Sequence, residues 1–234
     1  MKKNYDFHPD LRTFEKMKPP VIPSIIPGLQ KLMGILYRLE KSDEKVSVSK
    51  FHVPAKDDAK LRVLIYEPKA SVQNPPCMLF FHGGGFVYNS SPHHHRIPMP
   101  RAQMLLYPVT DRRMKTESMR KYTDTPICKR GDMEKYFRMY LPTDDLTPDM
   151  IPYVSPIEAE SLKGIPDTYI EVAEFDCLHD EGVELAHRLK DEGVSVELHE
   201  TSGTMHGYDI AVNCSLMREY MASRLRFLKN VNLV

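Results

Sequence analysis

Three places in the chain hold residue types that acyl-transfer chemistry needs: His82-Gly83-Gly84-Gly85-Phe86, Asp176 in Glu174-Phe175-Asp176-Cys177-Leu178, and His206 in Gly203-Thr204-Met205-His206-Gly207-Tyr208. Such chemistry uses a nucleophile, a base, an acid that orients the base, and donors for a tetrahedral oxyanion. Glycines suit the last role, because without a Cβ their N–H groups can turn inward and approach a substrate closely. Gly83 and Gly84 are the candidate donors, with His82 and Gly85 as the supporting loop; an ordinary glycine turn behind a strand is the other reading. Asp176 follows the strand-like run Thr168–Val172, and carboxylates at the C-terminal ends of parallel strands sit where α/β active sites form. A helix N-cap is the alternative for Asp176, and Glu174 and Asp180 are weaker candidates for the acid. His206 lies on a glycine-flanked loop free to turn into a cleft. Alone it reads as a satisfied loop residue; behind an Asp, in the order Ser, Asp, His, it reads as a general base.

The residue that would attack is missing. Outside the triple glycine, one pair of glycines stands four apart, Gly203 and Gly207, and Met205 lies between them. No Ser or Cys sits two residues before any glycine, so no Gly-x-Ser-x-Gly elbow exists. His93-His94-His95 invites a metal reading, but adjacent residues of an extended loop point different ways and no Asp, Glu or Cys stands nearby at ligand spacing. A solvated loop is the expectation there, with no metal and no cofactor assigned.

The elements that must position these residues follow from periodicity. Residues 1–45 are mixed and carry prolines 19, 20, 23 and 27, while Gly28–Leu39 has apolar residues at helical spacing. Val46–Val53 and Leu61–Tyr66 alternate as a hairpin, and Cys77–Phe81 is a continuous apolar run of the kind buried on both faces of a parallel sheet. Residues 87–102 are polar and Pro-rich. Gln103–Tyr107 reads as a strand, and 112–150 as a helical excursion in which Asp132 caps a helix to about Tyr140. Thr168–Val172 is a buried strand, Asp180–Glu192 a helix stopped by Gly193, Val194–His199 a strand, and Cys214–Leu228 a closing helix. Past the hairpin, strands alternate with helices, which predicts an α/β layered fold.

At 234 residues the chain is long enough for a substantial core, read as a single domain spanning 1–234. Lys and Arg total 32 against 32 for Asp and Glu, so no charge excess argues for nucleic acid or an anionic membrane. A neutral small molecule is the expected partner. No apolar stretch approaches the roughly twenty residues of a membrane span, and no apolar core follows Met-Lys-Lys, which predicts a cytoplasmic protein. Cysteines 77, 128, 177 and 214 show no CxxC pairing and read as reduced, mostly buried thiols. The 14 Met and absent Trp fit an adaptable apolar pocket, although Met more often simply fills core.

Taken in order, Phe7-His8-Pro9-Asp10-Leu11, His82–Phe86, Leu105-Leu106-Tyr107-Pro108-Val109-Thr110-Asp111, Tyr153-Val154-Ser155-Pro156, Glu174–Gly182 and Met205-His206-Gly207-Tyr208 resemble the hormone-sensitive-lipase-like carboxylesterases of the α/β-hydrolase superfamily. The resemblance spans nearly the whole chain. It implies a mostly parallel sheet flanked by helices, cap segments at 1–45 and 112–150, Asp176 and His206 as triad acid and base, and Gly83 and Gly84 as oxyanion hole. The implied substrate is a small acyl ester. The chain departs from that family between its glycine loop and its Tyr-Pro-Val strand. The family holds two strands, their helices and the serine elbow there; here only Val87–Ala102 joins the sides, as if 87–102 were a seam.

A sheet contracted by the loss of central strands is the expectation, since sixteen residues reach about 50 Å and a parallel crossover needs about a dozen. An ester hydrolase without its serine should be inactive or very weak, because the oxyanion hole and binding alone leave about a thousandfold acceleration. The alternatives are a non-catalytic acyl-ligand-binding relative and an incomplete gene model of an active enzyme. An exposed sheet edge would favour a homo-oligomer.

Overall fold

Alternation over residues 46–53 and 61–66 does produce a hairpin. In the computed structural model, which describes residues 5–39, 44–54, 60–70, 77–78, 100–141, 145–212 and 214–231, strand β1 (Val46–Pro54) pairs antiparallel with β2 (Lys60–Pro68). Both strands end on proline, which lacks the N–H that a longer ladder would need. Helix α1 (Ile26–Leu39) precedes them, and all three elements belong to one compact unit, Val21–Ile97. Cys77 and Met78, expected to open a buried strand, lie in no regular element and are exposed, Met78 at 63%. A run that begins directly behind Pro75 and Pro76 is poor in backbone donors at that point. The rest of that run, 79–81, lies outside the described residues. So do the loop His82, Gly83, Gly84 and Gly85, the histidines 93–95 and all of the 87–102 seam before residue 100.

The second unit, Met1–Pro20 with Pro98–Val234, carries a three-stranded parallel sheet. Its elements run β3 (Ala102–Leu106), α2 (Glu117–Lys121), α3 (Arg130–Tyr140), the single turn α4 (Ile151–Val154), β4 (Asp167–Phe175), α5 (His179–Asp191), β5 (Val196–Met205) and α6 (Ser215–Asn230). The strand order is β3-β4-β5, so β4 is central, with Leu105 opposite Ile170 and Ile170 opposite Leu198. Strand period two divides β4 cleanly. Ile170 and Val172 meet Leu185, Ala186 and Leu189 of α5. On the other face Tyr169 meets Phe227 and Leu228 of α6, and Ala173 meets Met205, Tyr208 and Met217. Helix α5 rides close to the strand: a Cβ at Gly182 would lie 2.3 Å from Val172 Cγ1. It stops at Gly193, whose φ of +86° and N–H to Lys190 O provide the left-handed close that glycine allows.

Two boundaries differ from the sequence reading. Strand β5 runs on to Met205 instead of ending near His199, because its polar stretch is satisfied internally: Thr201 Oγ1 donates to Val172 O at 3.0 Å and Thr204 is fully buried. Helix α3 starts at Arg130, so Asp132 stands in its first turn, not at the cap. There its carboxylate favours the positive helix end and pairs with Lys129 Nζ at 3.0 Å. The N-terminal segment is seated on the same unit: Phe7 and Leu11 join the cluster around Met205 and Tyr208, and His8 N–H donates to Gly203 O at 2.8 Å.

Candidate active site

Parallel strands deliver their C-terminal ends to one edge of a sheet, and the loops that leave that edge are where α/β folds build sites. Here the edge is formed by Tyr107 after β3, Asp176 after β4 and His206 directly after β5. Asp176 and His206, separated by thirty positions, meet there: His206 Nδ1 donates to Asp176 Oδ2 at 2.7 Å. Asp176 is buried, 1% exposed, while a quarter of the His206 side chain remains exposed. Asp176 also does the local work of the alternative reading, since its Oδ1 accepts from Leu178 N–H at 3.1 Å and its carbonyl from His179 N–H. One oxygen therefore shapes the turn into α5 while the other faces the histidine.

The surroundings of His206 favour its protonated form. Burial disfavours the His206 cation, but the Asp176 carboxylate outweighs it, and the imidazole is pushed up to about 10. His206 packs against the Tyr107 ring at 5.2 Å between centroids. Tyr107 adopts φ +48°, a left-handed conformation that a non-glycine residue holds only when its surroundings enforce it. Those surroundings are a buried network: Arg224 Nη2 donates to Tyr107 Oη at 3.2 Å and to Glu171 Oε1 at 2.6 Å, and Tyr208 Oη donates to Glu171 Oε1 at 2.7 Å. Glu171 and Arg224 stand 53 positions apart and belong to no motif of the sequence reading; a glutamate inside the run Tyr-Ile-Glu-Val is the only local sign of them.

The weaker acid candidates are engaged elsewhere. Glu174 Oε2 accepts from Gly203 N–H at 2.7 Å, and Asp180 accepts from Ser118 N–H at 2.7 Å. Buried Ser118 donates its hydroxyl to Cys177 O and buried Ser155 to Thr110 O, so neither is poised as a replacement nucleophile. Glu181 is fully buried; its Oε2 accepts from the N–H groups of Thr110 and Asp111, while Oε1 has no hydrogen-bond partner. Burial pushes its carboxyl up to about 8. Cys128 and Cys177 are both buried with Sγ atoms 3.7 Å apart, and the contact with Cys128 together with burial pushes the Cys177 thiol far up. Cys214 is buried as well, and only Cys77 departs from the expected buried class.

Comparison with known proteins bears on the fold that carries these residues. Residues 95–210 match a family described as the alpha/beta hydrolase fold. A putative alpha/beta hydrolase R526 of Acanthamoeba polyphaga mimivirus is 37% identical over 114 residues, 47% of this chain and 32% of that protein. The carboxylic ester hydrolase LipN of Mycobacterium tuberculosis is 37% identical over 111 residues, 47% of this chain and 29% of that protein. The matched stretch thus spans about a third of the length of these curated relatives. Among solved structures, a bacterial heroin esterase superposes with a TM-score of 0.82 over 97% of this chain and 98% of that one at 22% identity, and esterase LipW of Mycobacterium marinum with 0.81 at 20%. Sequence over the second half and backbone over nearly the whole length agree, and the chain belongs to the α/β-hydrolase fold family.

Proposed function

We propose that this chain is a carboxylic-ester hydrolase scaffold for small acyl esters that retains the acid–base half of a Ser-His-Asp machinery and lacks its nucleophile. The observation that carries the proposal is the 2.7 Å bond from His206 Nδ1 to the buried Asp176 carboxylate at the ends of neighbouring parallel strands. In this reading Asp176 orients the ring and stabilises its cation, His206 moves the proton, and Gly83 and Gly84 donate to the oxyanion, with His82 and Gly85 holding their loop. An imidazole held up to about 10 gives up its proton poorly at neutral pH, so water activation by His206 is weak there. The similarity that begins at residue 95, inside the 87–102 segment, supports a seam at which the family's serine elbow has been lost. Residues 1–45 and 112–150 act as cap segments in the same reading, and the protein works in the cytoplasm; among the described residues no helix is long and apolar enough to cross a membrane.

Purified full chain should turn over a short-chain p-nitrophenyl ester at no more than about a thousandfold above the uncatalysed rate, the contribution of binding and an oxyanion hole alone. Turnover at ordinary esterase rates of about 1–1000 per second would overturn the proposal and point to an unrecognised nucleophile. Translating the genomic DNA around codons 87–102 separates a true deletion from an incomplete gene model: a Gly-x-Ser-x-Gly there would restore the enzyme.

A further inference from the structure

Beside the acid–base pair, and sharing its Asp176, lie two thiols that ester hydrolysis does not use. Cys128, from the stretch between α2 and α3, and Cys177, from the turn between β4 and α5, bring buried Sγ atoms to 3.7 Å, and a carboxylate oxygen of Asp176 lies within 4.8 Å of both. We infer that Cys128, Cys177 and Asp176 form a binding site for a thiophilic divalent cation of the zinc class. Two thiolates at about 2.3 Å from a tetrahedral zinc stand about 3.7 Å apart, which is the separation the sulfurs already have. A disulfide would need the same atoms to close to about 2.05 Å.

The backbone on both sides is pinned in that geometry. Thr125 Oγ1 donates to Cys128 O at 2.7 Å, and Ser118 Oγ donates to Cys177 O at 3.0 Å. Asp176 is held through Leu178 N–H on Oδ1. The ligands come from two segments 49 positions apart, so no CxxC spacing announces them. Binding one dication releases two protons, one from each thiol, and leaves two thiolates and a carboxylate around it. The carboxylate would then be shared between the metal and His206, so occupancy weakens the hold of Asp176 on the imidazole.

Cobalt(II), which takes zinc's tetrahedral place and is coloured when thiolates bind it, tests the inference on the reduced full chain. One equivalent should produce a thiolate-to-cobalt charge-transfer band that zinc then bleaches. Cys128→Ser and Cys177→Ser should each lose the band, while Cys77→Ser and Cys214→Ser keep it. No band on folded, reduced protein, or a band that survives in both Cys128→Ser and Cys177→Ser, overturns the site. Should those two variants fail to fold, wild-type protein still answers: zinc should slow alkylation of Cys128 and Cys177, mapped by mass spectrometry, by about tenfold or more, because a bound thiolate is withdrawn from reaction. Alkylation indifferent to zinc overturns the inference as well.

Discussion

Toward α5, strand β4 offers Ile170 and Val172 to Leu185, Ala186 and Leu189; toward α6 it offers Tyr169, Glu171 and Ala173, and the contacts there include a buried ion pair. The first face is held by apolar burial, which is strong but indifferent to direction. The second is held by hydrogen bonds from Arg224, Tyr169 and Tyr208 that converge on one glutamate, and those are directional. A buried pair adds little net stability over an apolar replacement, yet losing one member strands the other without water. The contrast teaches a division of labour: the α5 face keeps the sheet together, and the α6 face decides where Tyr107 and Tyr208 stand, packed ring to ring with Tyr107 also against His206.

The sharpest way to break that contrast is Arg224→Met, which takes away the cation that Glu171 is buried against and should cost about 3–5 kcal/mol in urea unfolding. Adding Glu171→Gln should recover much of the loss. A cost below about 1 kcal/mol for the single variant would mean that the polar face is not held as described. On the apolar face, Gly182→Ala places a methyl 2.3 Å from Val172 Cγ1. Overpacking of this kind costs about 1–3 kcal/mol, which exceeds the gain of up to about 1 kcal/mol from helix propensity. The urea midpoint should fall with its slope unchanged.

The smallest expected effect has the opposite sign. Burial holds the Glu181 carboxyl up to about 8 against 4.5 unfolded, so the folded chain keeps a proton that the unfolded chain has released, and stability declines as pH rises from about 4.5 to 8. Glu181→Gln keeps an acceptor for the Thr110 and Asp111 N–H groups and removes the titration. It should match the parent near pH 4 and exceed it by about 2–4 °C in Tm at pH 9, equivalent to roughly 1 kcal/mol. Equal Tm values at both pH values would show that Glu181 carries no penalty.

Much of this was legible in the residues. The run 168–172 reads as a strand because β-branched and aromatic residues dominate it, the run 103–107 because a short apolar stretch is closed by Pro108 and Asp111, and Asp176 and His206 stand out because each follows a strand in triad order. Polar residues hid the rest. Glu200–Gly203 does not look like strand, so periodicity ends β5 at His199, although its threonine hydroxyls find partners within the fold. Asp132 looked like a cap because aspartate favours that position, yet it serves as well inside the first turn. The Glu171–Arg224 pair and the Cys128–Cys177 contact could not be seen at all, since each joins residues about fifty positions apart and neither has a local spacing rule.

The seat of the amino-terminal segment has a consequence for anyone handling the protein. Gly203, at φ +67°, leaves room for the His8 backbone, and Asp10 accepts from Ser215 at the start of α6, so residues 8–10 are stitched to β5, the strand that ends just before His206, and to α6. A proteolytic cut that frees residues up to Asp10 would remove these ties and loosen the loop on which the imidazole depends, even though no residue there takes part in the chemistry.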